Sequence, residues 1–139
     1  MNQAGFHDDI LAEPAALAAL LERPAPEVDL ASARRVVLLG MGSSAFAAHA
    51  AAVALRARGV DAHVELASAV TPLPPSPDTI AIGISASGAS EETIEALDRH
   101  VGTSRTVAIT NHPESALASR ADVVVPLHAG EEVGGIACR

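Results

Sequence analysis

The chain has 139 residues, enough for one domain with a true core, since a chain of this size hides roughly 68–70% of its unfolded surface. Nearly half of it is apolar, chiefly Ala, Val, Leu and Ile, and Phe6 and Phe46 are the only aromatic residues. The formal charge of −8 is opposite to the basic face that a nucleic-acid partner requires, and the absence of any lysine excludes a Schiff-base or phosphate-loop lysine from this chain.

The first ten residues, MNQAGFHDDI, contain neither the basic nor the apolar part of a signal peptide. Residues 8–22 place Ile10, Leu11, Leu17, Leu20 and Leu21 largely along one side of a helix. Pro14 is expected to open its regular part, because proline is tolerated in a first helical turn. Residues 23–29 (RPAPEVD) read as a connector stiffened by Pro24 and Pro26. Residues 35–39 (RVVLL) then form a short buried strand that ends in glycine. An alanine-rich helix follows over residues 44–58, closed by Gly59.

Residues 61–66 read as a second strand, and TPLPPSPD (residues 71–78) as a proline-rich loop. A third strand over residues 79–84 leads through a hydroxyl-rich loop into a helix over residues 91–100. Residues 106–110 give a fourth strand, 114–120 a short helix and 123–127 a fifth strand. Strands alternating with helices predict right-handed crossovers and an α/β parallel sheet covered on both faces. The expected organisation is a helical segment with a linker over residues 1–30, followed by one α/β domain over residues 31–139. No run approaches the ~20 apolar residues of a membrane span. The single cysteine, Cys138, cannot pair within the chain, so a cytoplasmic, reducing location is the expectation.

In a parallel sheet of this kind, ligands sit beyond the carboxyl ends of the strands. Two loops there carry small and hydroxyl residues: Gly40-Met41-Gly42-Ser43-Ser44 after the first strand, and GISASGASEET (residues 83–93) after the third. Each precedes a helix, whose free N–H groups and dipole favour an anion. Serine hydroxyls add donors to phosphate oxygens without any cationic side chain. Ser90 taken alone reads first as a helix N-cap. Ser85 and Ser87, paired with the other glycine–serine loop, read as phosphate donors.

Other patterns compete. Gly40-x-Gly42-x-x-Ala45, with Glu65 at the end of the second strand, fits a dinucleotide fingerprint, but it leaves the second loop unexplained. A hydrolase elbow needs Gly-x-Ser-x-Gly, and Gly88 falls one place late for it. The six histidines lack metal-ligand spacing, so no metal and no cofactor is expected. Of them, only His128 is expected near the ligand edge, beside Glu131 and Glu132. Those two glutamates read first as first-turn helix residues. Cys138 reads as inert, for want of a positioned base.

The two loops, together with HVELASA (residues 63–69), AITNHPESALASRADVVV (residues 108–125) and AGEEVG (residues 129–134), resemble a sugar isomerase (SIS) domain. The resemblance is to the first such domain in the isomerase part of glucosamine-6-phosphate synthases and related aminosugar-phosphate deaminase/isomerases. DDILAEPAALAALL (residues 8–21) resembles the helix that precedes that domain. The resemblance implies a three-layer sandwich around a five-stranded parallel, flavodoxin-like sheet that binds a phosphorylated sugar or aminosugar at the strand ends. It implies that Gly42, Ser43 and Ser44 in the first loop, and Ser85, Ala86, Ser87, Gly88 and Ser90 in the second, contact the ligand. Ala86 stands where the synthases carry glutamine, and Ala89 where they carry glutamate. The family's glutamate base, ring-opening histidine and C-terminal lysine have no counterpart here, so the catalytic residues stay unassigned. The chain therefore reads as the first half of an aldose–ketose sugar-phosphate isomerase or aminosugar-phosphate deaminase/isomerase, its SIS domain over residues 31–139 truncated at the C-terminal end, and is expected to bind a phosphosugar without isomerising it alone. Its partners are expected to be a second SIS domain or a homo-oligomer, with no nucleic acid and no membrane. A phosphosugar-sensing module is the alternative.

Overall fold

The computed structural model describes residues 2–24 and 26–134. They divide into two compact units, Glu27–Pro126 and a smaller one made of Met1–Pro26 and Leu127–Arg139. The strands are β1 (Arg35–Gly40), β2 (Ala62–Leu66), β3 (Thr79–Ile84), β4 (Arg105–Thr110) and β5 (Val123–Pro126). The helices are α1 (Gln3–Leu21), α2 (Gly42–Arg56) and α3 (Glu91–Asp98).

All five strands lie in the larger unit as one parallel sheet, in the order β2-β1-β3-β4-β5. Successive strand residues point to opposite faces, and the core divides accordingly. Val36, Leu38, Ile80, Ile82 and Val107 pack with Ala48 and Ala52 of α2. Val37, Leu39, Ala81 and Ala108 pack with Ala96 and Leu97 of α3 and with Leu117. This unit is therefore a three-layer α/β sandwich, as expected. Its helices meet the sheet through alanines, which is why a chain almost without aromatic residues still closes its core.

Every expected strand forms, with shifts of one residue at some ends. The helix expected over residues 114–120 does not form beyond a 3-10 turn at Ala118–Arg120. The reason is tertiary: the Leu117 N–H donates to the Gly88 carbonyl at 3.0 Å and so cannot close an α-helical turn. The expected helix to residue 100 stops at Asp98, where the chain turns through residues 99–104.

In the smaller unit, α1 begins at Gln3, with the Gly5 N–H bonded to the side chain of the N-cap Asn2 at 3.3 Å. Pro14 consequently lies inside the helix rather than at its start. The cap and the anchoring of Asp9 hold the turns before Pro14, offsetting the roughly 3 kcal/mol that an internal proline costs. Asp9 is fully buried. Its carboxylate accepts the Val133 N–H at 3.1 Å and the Gly134 N–H at 2.7 Å. Ile10, Leu11, Leu17, Leu20 and Leu21, by contrast, are all exposed.

The proline-rich loop over residues 71–78 is fastened to the α3 side of the larger unit by buried polar groups. The Leu73 N–H donates to Glu65 Oε2 at 2.6 Å. The Ser76 N–H donates to Ser104 Oγ at 3.2 Å, and that hydroxyl meets His100 Nδ1 at 3.1 Å. His100 is fully buried, and its Nε2 has no partner among the described residues. Burial pushes the imidazole below the ordinary histidine value of 6.5; Glu65 opposes the shift and Arg99 adds to it. The unfolded chain thus takes up a proton where the folded one does not. Stability is fully present above about pH 6.5 and is lost as pH falls through that value toward the folded pKa. In urea unfolding between about pH 7.5 and 5.5, the native chain is expected to lose more stability than His100→Gln. Parallel losses in the two proteins would rule out His100 as the source.

Candidate functional site

β1 and β3 are neighbours, and Gly40 stands opposite Ile84 at their carboxyl ends. Their outgoing chains start side by side but lead to α2 on one face and α3 on the other. This is the point where strand order reverses and a crevice opens in an α/β sheet. Both serine-rich segments begin there.

The first segment is shorter than expected. Met41 is the extended N-cap residue and α2 starts at Gly42, so Ser43 and Ser44 belong to the first helical turn rather than to a preceding loop. Gly42 has φ +51°, a conformation that L residues rarely adopt. Ser43 is exposed and Ser44 half-buried. The orphan N–H groups of a first helical turn thus lie beside two hydroxyls.

The second segment is held rigidly. The Ser85 N–H donates to the Ile109 carbonyl at 3.1 Å, and Ser85 Oγ accepts from the Gly88 N–H at 3.1 Å. Ser87 Oγ accepts from the Ala89 N–H at 3.2 Å. Each hydroxyl uses a lone pair on the loop backbone, and neither has a protein acceptor for its proton among the described residues. Ser85 is buried and Ser87 exposed. Ser90 differs: it is the N-cap of α3, accepting from the Thr93 N–H at 3.4 Å and the Thr93 hydroxyl at 3.0 Å. Its own hydroxyl donates to Glu92 Oε2 at 3.2 Å. The capping role that Ser90 suggests in the sequence is realised.

A third segment escaped the sequence reading as part of the site. The Thr110 hydroxyl and the Asn111 N–H both donate to the Ala86 carbonyl, at 3.2 and 3.0 Å, while Leu117 holds the Gly88 carbonyl. Residues 110–117 therefore cradle the serine loop from β4. The available signal was a threonine ending a buried strand, followed by the turn-forming Asn-His-Pro.

Glu65, the would-be ribose ligand, is nearly buried and spends Oε2 on the Leu73 N–H, with Arg99 Nη2 3.7 Å from Oε1. It is an anchor for the proline-rich loop. His128, Glu131 and Glu132 belong to the smaller unit. Both glutamates sit in irregular backbone, not in a helical first turn, and the N–H groups that follow them, those of Val133 and Gly134, donate to the Asp9 carboxylate. Cys138 lies outside the described residues. Among the described residues no cluster of side chains could hold a metal ion, and no helix is long and apolar enough to cross a membrane.

The chain is 33% identical over 116 residues to the glutamine–fructose-6-phosphate aminotransferase [isomerizing] of Zymomonas mobilis subsp. mobilis, covering 80% of this chain and 19% of that protein. It thus spans about a fifth of that relative's length. Among solved structures, the C-terminal domain of glucosamine-fructose-6-phosphate aminotransferase from Francisella tularensis superposes with a TM-score of 0.79 at 21% identity, over 93% of this chain and 40% of that one. The Vibrio vulnificus NanR protein complexed with ManNAc-6P superposes with a TM-score of 0.65 at 22% identity, over 94% of this chain and 50% of that one. Residues 29–138 match the SIS domain family, and with them the sheet and its strand-end serine loops: the chain belongs to the SIS domain family.

Proposed function

We propose that this chain binds a phosphorylated sugar or aminosugar, and that it does so as part of an aldose–ketose sugar-phosphate isomerase or aminosugar-phosphate deaminase/isomerase. The observation that carries the reading is the convergence of two serine-bearing segments at the β1/β3 switch point, next to the N-termini of α2 and α3. Gly42, Ser43 and Ser44 form one side of the phosphate cradle. Ser85, Ala86, Ser87, Gly88 and Ser90 form the other. Ser85 and Ser87 have donor protons to give; the helix N-termini add N–H groups and favourable dipoles.

A sensing module is the second reading, supported by the likeness to the NanR protein complexed with ManNAc-6P. Both readings share the phosphate cradle and a location in the cytoplasm. Phe46 and Val53, exposed on the same face of α2 about two turns apart, and the apolar residues of α1 support association with a second SIS domain or a second copy of the chain. Glu65 is committed to Leu73, so titration with NAD is expected to give no signal.

The test is thermal unfolding with fructose 6-phosphate and glucosamine 6-phosphate against fructose and glucosamine. At one hundred times the dissociation constant, a ligand adds about 2.7 kcal/mol of stability. The phosphorylated pair is expected to raise Tm and the free sugars to leave it unchanged; equal shifts from both pairs would refute the phosphate cradle. By calorimetric titration, Ser85→Ala and Ser87→Ala are each expected to weaken phosphosugar binding by about 1.5–3 kcal/mol, the worth of a hydrogen bond to a charged group. An unaltered affinity in the double variant would remove these hydroxyls from the site.

A further inference from the structure

The three hydroxyls of the second loop are not equivalent in their protons. A serine hydroxyl has one proton to donate. Ser85 and Ser87 accept from backbone N–H groups at 3.1 and 3.2 Å, which leaves their protons for a ligand. Ser90 accepts twice from Thr93 and directs its proton to Glu92 Oε2 at 3.2 Å. Glu91, the other carboxylate of the same helical turn, is exposed and makes no such bond among the described residues. A carboxylate oxygen offers a hydroxyl the same kind of anionic acceptor as a phosphate oxygen does.

We propose that Glu92 is a built-in competitor for the phosphate: in the ligand-free protein its carboxylate occupies the Ser90 hydroxyl, and it must be displaced before that hydroxyl can turn to a bound phosphate. The inference rests on the phosphate cradle proposed above. Glu92 is an exposed side chain, free to swing into solvent once displaced, whereas Ser90 stays fixed as the helix cap. The exchange involves no covalent step. One O–H···O⁻ bond is given up and another formed, while the freed carboxylate regains water. Glu92 thereby lowers phosphosugar affinity and sets the ligand concentration over which the site fills.

The test is calorimetric titration of fructose 6-phosphate and inorganic phosphate into the native chain and into Glu92→Gln, Glu91→Gln, Ser90→Ala and the Ser90→Ala/Glu92→Gln double variant. Glu92→Gln is expected to bind both probes about 3- to 10-fold more tightly, with the gain shrinking at high salt. Glu91→Gln changes the same charge without freeing a hydroxyl and is expected to gain less than about 2-fold. In the Ser90→Ala background the Glu92 gain is expected to fall to the Glu91 level, a coupling that a double-mutant cycle measures directly. Equal gains from Glu91→Gln and Glu92→Gln would reduce the effect to through-space repulsion and overturn the proposal. So would unchanged or weaker binding by Glu92→Gln. Native-like binding with no Glu92 effect removes this inference alone, whereas failure of every variant and of the native chain to bind either probe removes the phosphate cradle as well.

Discussion

Gly88→Ala is expected to cost about 3–5 kcal/mol of stability and to abolish phosphosugar binding. Gly88 has φ +65°, and a Cβ on it would lie 2.0 Å from Ser115 Oγ, 2.3 Å from Ser115 Cβ and 2.8 Å from Thr110 Oγ1. Ser115 cannot retreat cheaply. Its N–H donates to the His112 carbonyl at 2.9 Å, and its Oγ accepts from the Ala118 N–H at 3.3 Å. The Gly88 carbonyl is also the acceptor for buried Leu117, so displacing residue 88 disturbs the α3 side of the core. Gly42→Ala is the informative comparison. It too has positive φ, but its Cβ would meet nothing within 4 Å, so only backbone strain of about 1–2 kcal/mol is expected. Urea unfolding of both variants measures the difference, and equal costs would sink the packing argument.

Asp9→Ala carries the other large effect, about 3–5 kcal/mol within the smaller unit, because it removes a buried charged acceptor from two backbone donors. The Val133 and Gly134 N–H groups bond its carboxylate at 3.1 and 2.7 Å. The packing beside it is close: a Cβ on Gly134 would lie 2.5 Å from Phe6 Cα, and one on Gly5 would lie 2.7 Å from the Val133 carbonyl oxygen. Asp9→Asn keeps one carbonyl oxygen as an acceptor and is expected to lose about half as much. Hydrogen exchange at the amides of residues 133 and 134 reads the effect where it arises. Protection of these amides in Asp9→Ala at the native level would show that another group holds them.

The strands and the parallel sheet were legible because their residues are consecutive and apolar. RVVLL and TIAIGI are short β-branched runs buried on both sides, and a run of that kind between helical segments has few other places to go. The serine loops were legible for a similar local reason. Glycine and serine between a strand and a helix mark a turn, a cap or an anion site, whatever the rest of the chain does. The family motifs then narrowed the choice among these. The α1 boundary differs from the expectation because the Asn2 side chain caps the helix at Gln3, so that Pro14 falls inside it instead of opening it.

What the sequence determined by itself was the set of segments and their chemistry: five strands, and two glycine–serine segments that contain no cationic residue. What only the tertiary structure decided was how each polar group is spent. Three-body arrangements between residues far apart in the chain leave no local pattern, since the cost of an unpaired buried polar group is settled by whichever partner the fold brings within reach. Thus Leu117 bonds Gly88 instead of extending a helix, Glu65 bonds Leu73 instead of a ribose, and Asp9 holds Gly134 across 125 positions of sequence. The same rule separates the three serines, for the partner that each hydroxyl finds in the folded loop decides whether its proton remains for a phosphate.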